Sequence, residues 1–180
     1  MMHLPIWYLG KIEPEVCDQV IQELSGPNLR DAAMSLGIDI DNLTRSTSVT
    51  FAEENYWLSE KIANHASEAN RICKWDYVVT GKENVQFSEY GPDPDHYSGW
   101  HTDTFTLSDA PTDRKVSVVC LLNDEFEGGE FEIRLYNDYT VPLEKGTMIA
   151  FPSILENRIK PVTSGKRYSA TMWFYGPKFR

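Results

Sequence analysis

The sequence predicts a mainly β chain with flanking helices (α+β), built as a double-sheet jelly roll, and three observations carry that expectation. From residue 75 onward, strand-length apolar runs recur between Gly-Pro, Asn-Asp, Gly-Gly and Ser-Gly turn signals. No helical period of useful length interrupts residues 75–180. Helical spacing is confined to the first half, so the helices should pack outside one of the sheets.

Residues 4–9 form a short apolar strand candidate. Pro14 suits the first turn of a helix, and Val16, Val20, Ile21 and Leu24 recur at helical spacing before Gly26-Pro27 stops it. Residues 28–45 show no clear period and read as a loop or broken helix. Residues 46–51 alternate like a strand. Asn55 then offers a cap for a helix with Trp57, Leu58, Ile62, Ala66 and Ala69 on one face. Strands are predicted over 75–80, 85–90, 115–122, 130–136, 147–151, 158–162 and 167–174.

At 180 residues the chain is long enough for one domain with a real core. With no repeat or linker in view, one domain over 1–180 is expected, 1–80 supplying helical and strand support and 81–180 the jelly-roll core. Composition, 41% apolar and 24% charged, reads as soluble and globular. No apolar run approaches the roughly 20 residues of a membrane helix. The start lacks the basic and apolar regions of a secretory signal. A net charge of −10 argues against sequence-independent nucleic-acid binding. Cys17, Cys73 and Cys120 lack metal-ligand spacing, and Cys120 sits in an apolar run; all three read as reduced structural thiols of a cytoplasmic protein.

His101-Thr102-Asp103 is the stretch that carries chemistry. In an extended segment residues i and i+2 share a face, so the imidazole and the carboxylate can hold adjacent positions on one metal ion. With one further imidazole they would make the facial triad of non-haem iron(II) oxygenases. His-x-Asp alone is a weak signal, since a polar loop with a His–Asp hydrogen bond reads the same.

The ordered motifs downstream of Asp103 strengthen it. Lys115–Asn123 is a strand run, succeeded by an acidic turn over 124–127. Then come Gly128-Gly129-Glu130-Phe131, Phe151-Pro152-Ser153, Pro161-Val162-Thr163-x-Gly165-x-Arg167 and a closing Trp173-Phe174-Tyr175-Gly176-Pro177. This succession resembles the prolyl-4-hydroxylase-like branch of the 2-oxoglutarate- and iron(II)-dependent dioxygenases, of the small bacterial and phage type. The resemblance is strong over about 85–176 and looser before it.

It implies a double-stranded β-helix with Fe(II) at one open end and 2-oxoglutarate as co-substrate. Oxygen would be consumed, succinate and carbon dioxide released, and an unactivated C–H bond hydroxylated, a prolyl or other side chain of a protein or peptide being the family-based expectation. His101 and Asp103 match the first two metal ligands. The family pattern Phe-Pro-Ser-x-x-x-His-Arg-Val here reads Phe151-Pro152-Ser153-Ile154-Leu155-Glu156-Asn157-Arg158-Ile159, so Asn157 stands where the distal His is expected.

Arg167 matches the cation for the distal carboxylate of 2-oxoglutarate; a planar guanidinium can grip a carboxylate with two parallel bonds. Ser169, two residues along the same strand, can add a hydroxyl. Tyr90 resembles the family's co-substrate tyrosine. The plainer alternatives are a surface arginine and an ordinary buried tyrosine. The loops 91–99 and 104–114 flank the ligands as a candidate substrate lid.

Asn157 leaves three readings open. It can ligate through its carbonyl oxygen, a poorer donor to iron(II) than imidazole. Another residue can substitute, His96 or Glu156, although Glu156 should face the other way. Or the metal site is degraded, leaving a non-catalytic jelly-roll protein that keeps the 2-oxoglutarate pocket. A plain structural β domain is disfavoured by the ordered match of so many polar motif residues. A halide-transferring variant is disfavoured because Asp103 is present.

Overall fold

The computed structural model describes residues 5–26, 30–31, 47–92, 98–104 and 110–178. Among these, fourteen strands and two helices are seen. The strands are β1 (Tyr8–Lys11), β2 (Arg30–Asp31), β3 (Ser48–Phe51), β4 (Gly81–Lys82), β5 (Gln86–Tyr90), β6 (Ser98–His101) and β7 (Thr112–Leu121). They continue with β8 (Phe126–Gly128), β9 (Phe131–Arg134), β10 (Asp138–Thr140), β11 (Thr147–Pro152), β12 (Glu156–Ile159), β13 (Val162–Gly165) and β14 (Arg167–Pro177). The helices are α1 (Pro14–Leu24) and α2 (Leu58–Ile72).

The strands form two facing layers, as the turn-punctuated runs predict. The major sheet runs β1-β11-β7-β14-β5-β3-β2, with β4 also on β14, and the minor sheet runs β10-β9-β12-β6. A two-stranded ribbon, β13-β8, completes the set, and every pairing is antiparallel.

The two faces of the major sheet differ in chemistry. Its outer face presents Phe87, Val116, Val118, Cys120, Met148, Ala150, Ala170 and Met172 to the helices, where Cys17, Val20, Leu58, Ile62, Ala66 and Ala69 complete one apolar core. This burial is why the helical spacing read from the sequence places α1 and α2 correctly. The inner face faces the minor sheet across Val119, Ile149 and Phe151, which pack with Phe131, Ile133 and Ile159. The same inner face also buries Gln86, Ser88, Arg167, Ser169 and Thr171. Polar side chains on an inner face mark where a polar occupant belongs.

Several sequence expectations need correction. Residues 75–80 form no strand: Lys74 and Asp76 have positive φ (52° and 53°), which breaks extended geometry, and only Gly81–Lys82 pairs with β14. Asn55 caps no helix, because the chain makes a tight turn (Tyr56 N–H to Glu53 O, 3.0 Å) and α2 begins after Trp57 without a side-chain cap. The single strand over 158–162 is two, β12 and β13, interrupted where Pro161 has no N–H to donate. The first strand begins only at Tyr8. β6, β8 and β10 went unread. Of residues 28–45 only β2 lies within the described residues. All three cysteines are buried and free, as expected of structural thiols.

Candidate active site

The second layer brings the ligand candidates together. His101 at the end of β6 pairs directly with Asn157 on β12. Between that pair and Ser98↔Ile159 the register shifts, so Gly99 and Trp100 together oppose Arg158 alone. Such a bulge re-aims neighbouring groups. It turns the Gly99 carbonyl onto His101, whose Nδ1 lies 2.7 Å from that oxygen. With Nδ1–H donating there, the Nε2 lone pair is left to face Asp103 Oδ1 at 3.3 Å.

Two acceptors at that distance repel unless a cation lies between them, either a proton or a metal ion. Donors held about 2.1 Å from one metal at near right angles sit roughly 3 Å apart, so the 3.3 Å spacing suits adjacent ligands.

Asp103 is buried and anchored from both ends. Its N–H donates to Ser153 O (2.9 Å), and its Oδ2 accepts from Ser117 Oγ (2.6 Å), which in turn lies 2.8 Å from Ser153 Oγ. Burial alone would raise its pKa. The His101 hydrogen bond and charge, with Ser117 and the indole of Trp173, outweigh burial and bring it down to about 2. Trp173 Nε1 has no hydrogen-bond partner among the described residues, and Trp173 pairs in register with Ser117, the residue that donates to Asp103. Its ring lies 3.9 Å from the Arg114 guanidinium carbon, and Arg114 is held by Glu83.

Asn157 is buried, and its Nδ2 donates to His101 O (3.3 Å) and Leu155 O (3.5 Å). With the amide nitrogen tied to backbone, the carbonyl oxygen is the atom left for another partner. Glu156 faces away toward Arg134, as alternation requires. Among the described residues no cluster of three or more His, Cys, Asp or Glu side chains is present. His96 lies outside the described residues. His101, Asp103 and Asn157 could together offer one imidazole, one carboxylate and one amide oxygen, donors that would hold a divalent metal weakly.

The co-substrate candidates form a second group on β14 and β5. Arg167 is 1% exposed and pairs in register with Tyr90, whose ring centre lies 5.6 Å from the guanidinium carbon. Arg167 Nε donates to Gly129 O (3.0 Å) and NH1 to Ser169 Oγ (3.1 Å), while NH2 has no partner among the described residues. Burial lowers its pKa to about 10, with Tyr90 pulling the other way. Among the described residues no carboxylate pairs with it. A buried cation with an orphaned N–H and no counter-ion calls for an anion.

Beside it lies a cavity of about 220 Å³ lined by Leu121, Phe126, Gly129, Phe131, Leu143 and others. Gly129 is required here: its φ is +65°, and a Cβ would come within 2.9 Å of Arg167 Cδ.

The inner face of β14 links the two groups, with Arg167 and Ser169 toward one end and Trp173, paired with Ser117, toward the other. Of the lid candidates, Ser98 and Gly99 belong to β6 and Thr112–Arg114 to β7; residues 93–97 and 105–109 lie outside the described residues. The sequence reading missed Ser117, Trp173, Arg114 and the Gly99 carbonyl. Ser117 had a signal, a hydroxyl inside the apolar run Val116–Leu121.

Comparison with known proteins agrees with this geometry. Residues 85–175 match the model of the 2OG-Fe(II) oxygenase superfamily. A PKHD-type hydroxylase of Picosynechococcus sp. is 26% identical over 165 residues, covering 90% of this chain and 74% of its own. One of Xylella fastidiosa is 33% identical over 89 residues, only 43% of this chain and 39% of that protein.

Among solved structures, a Trichoplax adhaerens prolyl hydroxylase in complex with a hypoxia inducible factor oxygen degradation domain peptide fragment superposes with TM-score 0.76. Its identity is 15%, covering 94% of this chain and 83% of that one. The viral collagen prolyl hydroxylase of Paramecium Bursaria Chlorella virus-1, in its 2OG complex, gives 0.68 at 19% identity over 96% and 97% of the two chains. These likenesses establish the jelly-roll fold. With the family match spanning the residues that build both groups, the chain belongs to the 2OG-Fe(II) oxygenase superfamily, a family of dioxygenases whose cofactors are iron(II) and 2-oxoglutarate.

Proposed function

We propose that this chain hydroxylates a C–H bond of a protein or peptide side chain, prolyl being the leading candidate. His101, Asp103 and Asn157 hold the iron(II), and Arg167, Ser169 and Tyr90 hold 2-oxoglutarate. The carrying observation is the facing of His101 Nε2 and Asp103 Oδ1 at 3.3 Å with Asn157 directly opposite His101. A peptide substrate is supported by the peptide complex of the Trichoplax neighbour and by the hydroxylase names of the relatives.

When bound, iron(II) supplies the oxygen activation that couples 2-oxoglutarate decarboxylation to hydroxylation. The chain's own residues have narrower tasks. Gly99 O accepts from His101 Nδ1–H, which in the neutral ring leaves the Nε2 lone pair for the metal. Ser117 Oγ donates to Asp103 Oδ2 and favours the anionic carboxylate that a metal ion needs. Asn157 adds a neutral oxygen, making the metal weaker-bound than with imidazole. Arg167 NH2, without a partner among the described residues, pairs with the distal carboxylate while Ser169 and Gly129 hold the guanidinium still. The apolar residues between the sheets keep water from the reacting end.

The test is succinate formation from 2-oxoglutarate with iron(II) and oxygen, measured alongside Asp103→Ala. Metal-dependent succinate that disappears in the variant is expected. Absence of succinate under any metal loading, or equal succinate in both, overturns the proposal.

Asn157 also favours a second reading, a binding protein that retains the 2-oxoglutarate pocket without catalysis. It predicts 2-oxoglutarate binding that needs Arg167 and is insensitive to manganese(II), which calorimetry with and without the metal distinguishes.

A further inference from the structure

The outer face of the minor sheet carries a charged belt that the reaction does not use. Along β9, Phe131 and Ile133 point into the core, so Glu132 and Arg134 point out; along β12, Asn157 and Ile159 point in, so Arg158 points out. Trp100 on β6 is the aromatic member of this outer face. The guanidinium carbon of Arg134 lies 3.9 Å from its ring centre and that of Arg158 4.5 Å.

Neither arginine is free to leave. Arg134 Nε donates to Asp138 Oδ1 (2.6 Å) and NH2 to Oδ2 (3.1 Å). Arg158 Nε donates to Glu132 Oε2 (2.6 Å). Glu132 is itself buried and also accepts from Lys160 (2.9 Å) and Thr140 (3.1 Å). The belt thus runs across the sheet from β10 to β6.

Its position gives it a task. Trp100 is one of the two bulged residues that oppose Arg158, and it immediately precedes His101. A bulge forfeits ladder hydrogen bonds and needs another force to hold one conformation. This one turns the Gly99 carbonyl onto His101 Nδ1 and so aims Nε2 at Asp103. Cation–π contact with two anchored guanidiniums can supply that force, each contact being stronger where water is partly excluded.

We propose that Trp100, gripped by Arg134 and Arg158, is a positioning residue for the metal ligand His101: the clamp on the outside of the sheet sets the bulge that aims the imidazole on the inside. The proposal rests on the metal-site reading of His101, Asp103 and Asn157. On that reading Trp100 touches no metal, co-substrate or substrate. Its removal changes where His101 points and leaves the donor set unchanged.

Cobalt(II) binding to the purified chain tests it, by calorimetry and by the visible spectrum of the bound ion. Trp100→Ala is expected to weaken cobalt(II) binding about 10- to 100-fold, the usual cost of disturbing a ligand's supporting contacts. It should also alter the visible bands, while Trp100→Phe, which keeps a face for the guanidiniums, restores both. If Trp100→Ala does not fold, Arg134→Met keeps the ring and loosens one side of the grip; it is expected to weaken binding by a smaller factor in the same direction. Cobalt(II) affinity and spectrum unchanged in whichever of these variants folds overturns the positioning role. Equal binding by wild type and Asp103→Ala, or none by wild type, overturns the metal-site reading and the clamp with it.

Discussion

Asn157 stands directly opposite His101 across the β6–β12 pair, and its amide nitrogen donates to the His101 carbonyl at 3.3 Å. The amide nitrogen ties the ends of the two strands together, and on the proposed reading the side-chain oxygen is the atom offered to the metal. An imidazole at 157 would give up the strand tie and gain a stronger ligand.

Arg167 should cost the empty protein stability. Burial brings its pKa down to about 10, a penalty on the order of 3 kcal/mol for the charged form. Arg167→Met is therefore expected to stabilise the ligand-free chain by about 1–2 kcal/mol, since an apolar replacement of a buried unpaired charge is neutral or favourable. The same variant should lose the rise in Tm that 2-oxoglutarate gives the wild type. Thermal melts with and without 2-oxoglutarate read both effects; a lower Tm of the ligand-free variant together with a retained ligand shift would contradict this account.

Gly129→Ala should damage the same pocket by a different route. The added Cβ meets Arg167 Cδ at 2.9 Å and Phe126 and Val162 at 3.1 Å, at a φ of +65°. A loss of about 1–2 kcal/mol in stability is expected from the backbone conformation and crowding. Weaker 2-oxoglutarate binding by titration calorimetry should accompany it, because the guanidinium cannot keep its place.

Ser117→Ala removes the 2.6 Å hydrogen bond to Asp103 Oδ2. A loss of about tenfold or more in manganese(II) affinity is expected. Calorimetric titration of the variant checks it, and an affinity equal to wild type would show that the Asp103 N–H contact to Ser153 alone suffices.

Acid should weaken the contact of α2 with β1 through His65. Its ring stacks on Tyr8 with centroids 5.3 Å apart, and burial lowers its pKa below 6.5. The unfolded chain then takes up this proton more readily than the folded one. The stability contributed by neutral His65 is complete above about pH 6.5 and is lost as pH falls toward the lowered folded value. Tm measured from pH 7.5 down to 5 should fall less steeply in His65→Phe, which keeps the stack and cannot titrate. Identical slopes would count against it.

How much could be read in advance depends on burial. Much of β7, β11 and β14 is buried on both faces, so residues 116–121, 147–152 and 170–175 are largely apolar runs, visible without any structure. β6 and β10 leave no such trace. The first is a Ser-Gly-Trp-His segment whose bulge defeats alternation, and the second is exposed along its whole length. Residues 75–80 misled because Trp75, Tyr77, Val78 and Val79 have strand propensity, while the positive φ of Asp76 is set by tertiary context.

Among the site candidates, the shared faces of His101 with Asp103 and of Arg167 with Ser169 were legible from two-residue spacing on extended chain, while the choice of Arg167 came from the family motif. Their supports were hidden because they come from other strands: Ser117 from β7, Trp173 from β14 and a backbone carbonyl from Gly99. The opposition of Asn157 to His101 depends on register between strands that are distant in sequence, which no local pattern encodes.

Asn157→His tests the central claim most directly, that residues 101, 103 and 157 surround one metal ion. Manganese(II) affinity by calorimetry, followed by succinate formation with iron(II), should both rise in the variant over wild type, since imidazole outranks an amide oxygen as a ligand. Unchanged affinity in a variant that folds normally would contradict the account, because position 157 would then lie outside the metal site.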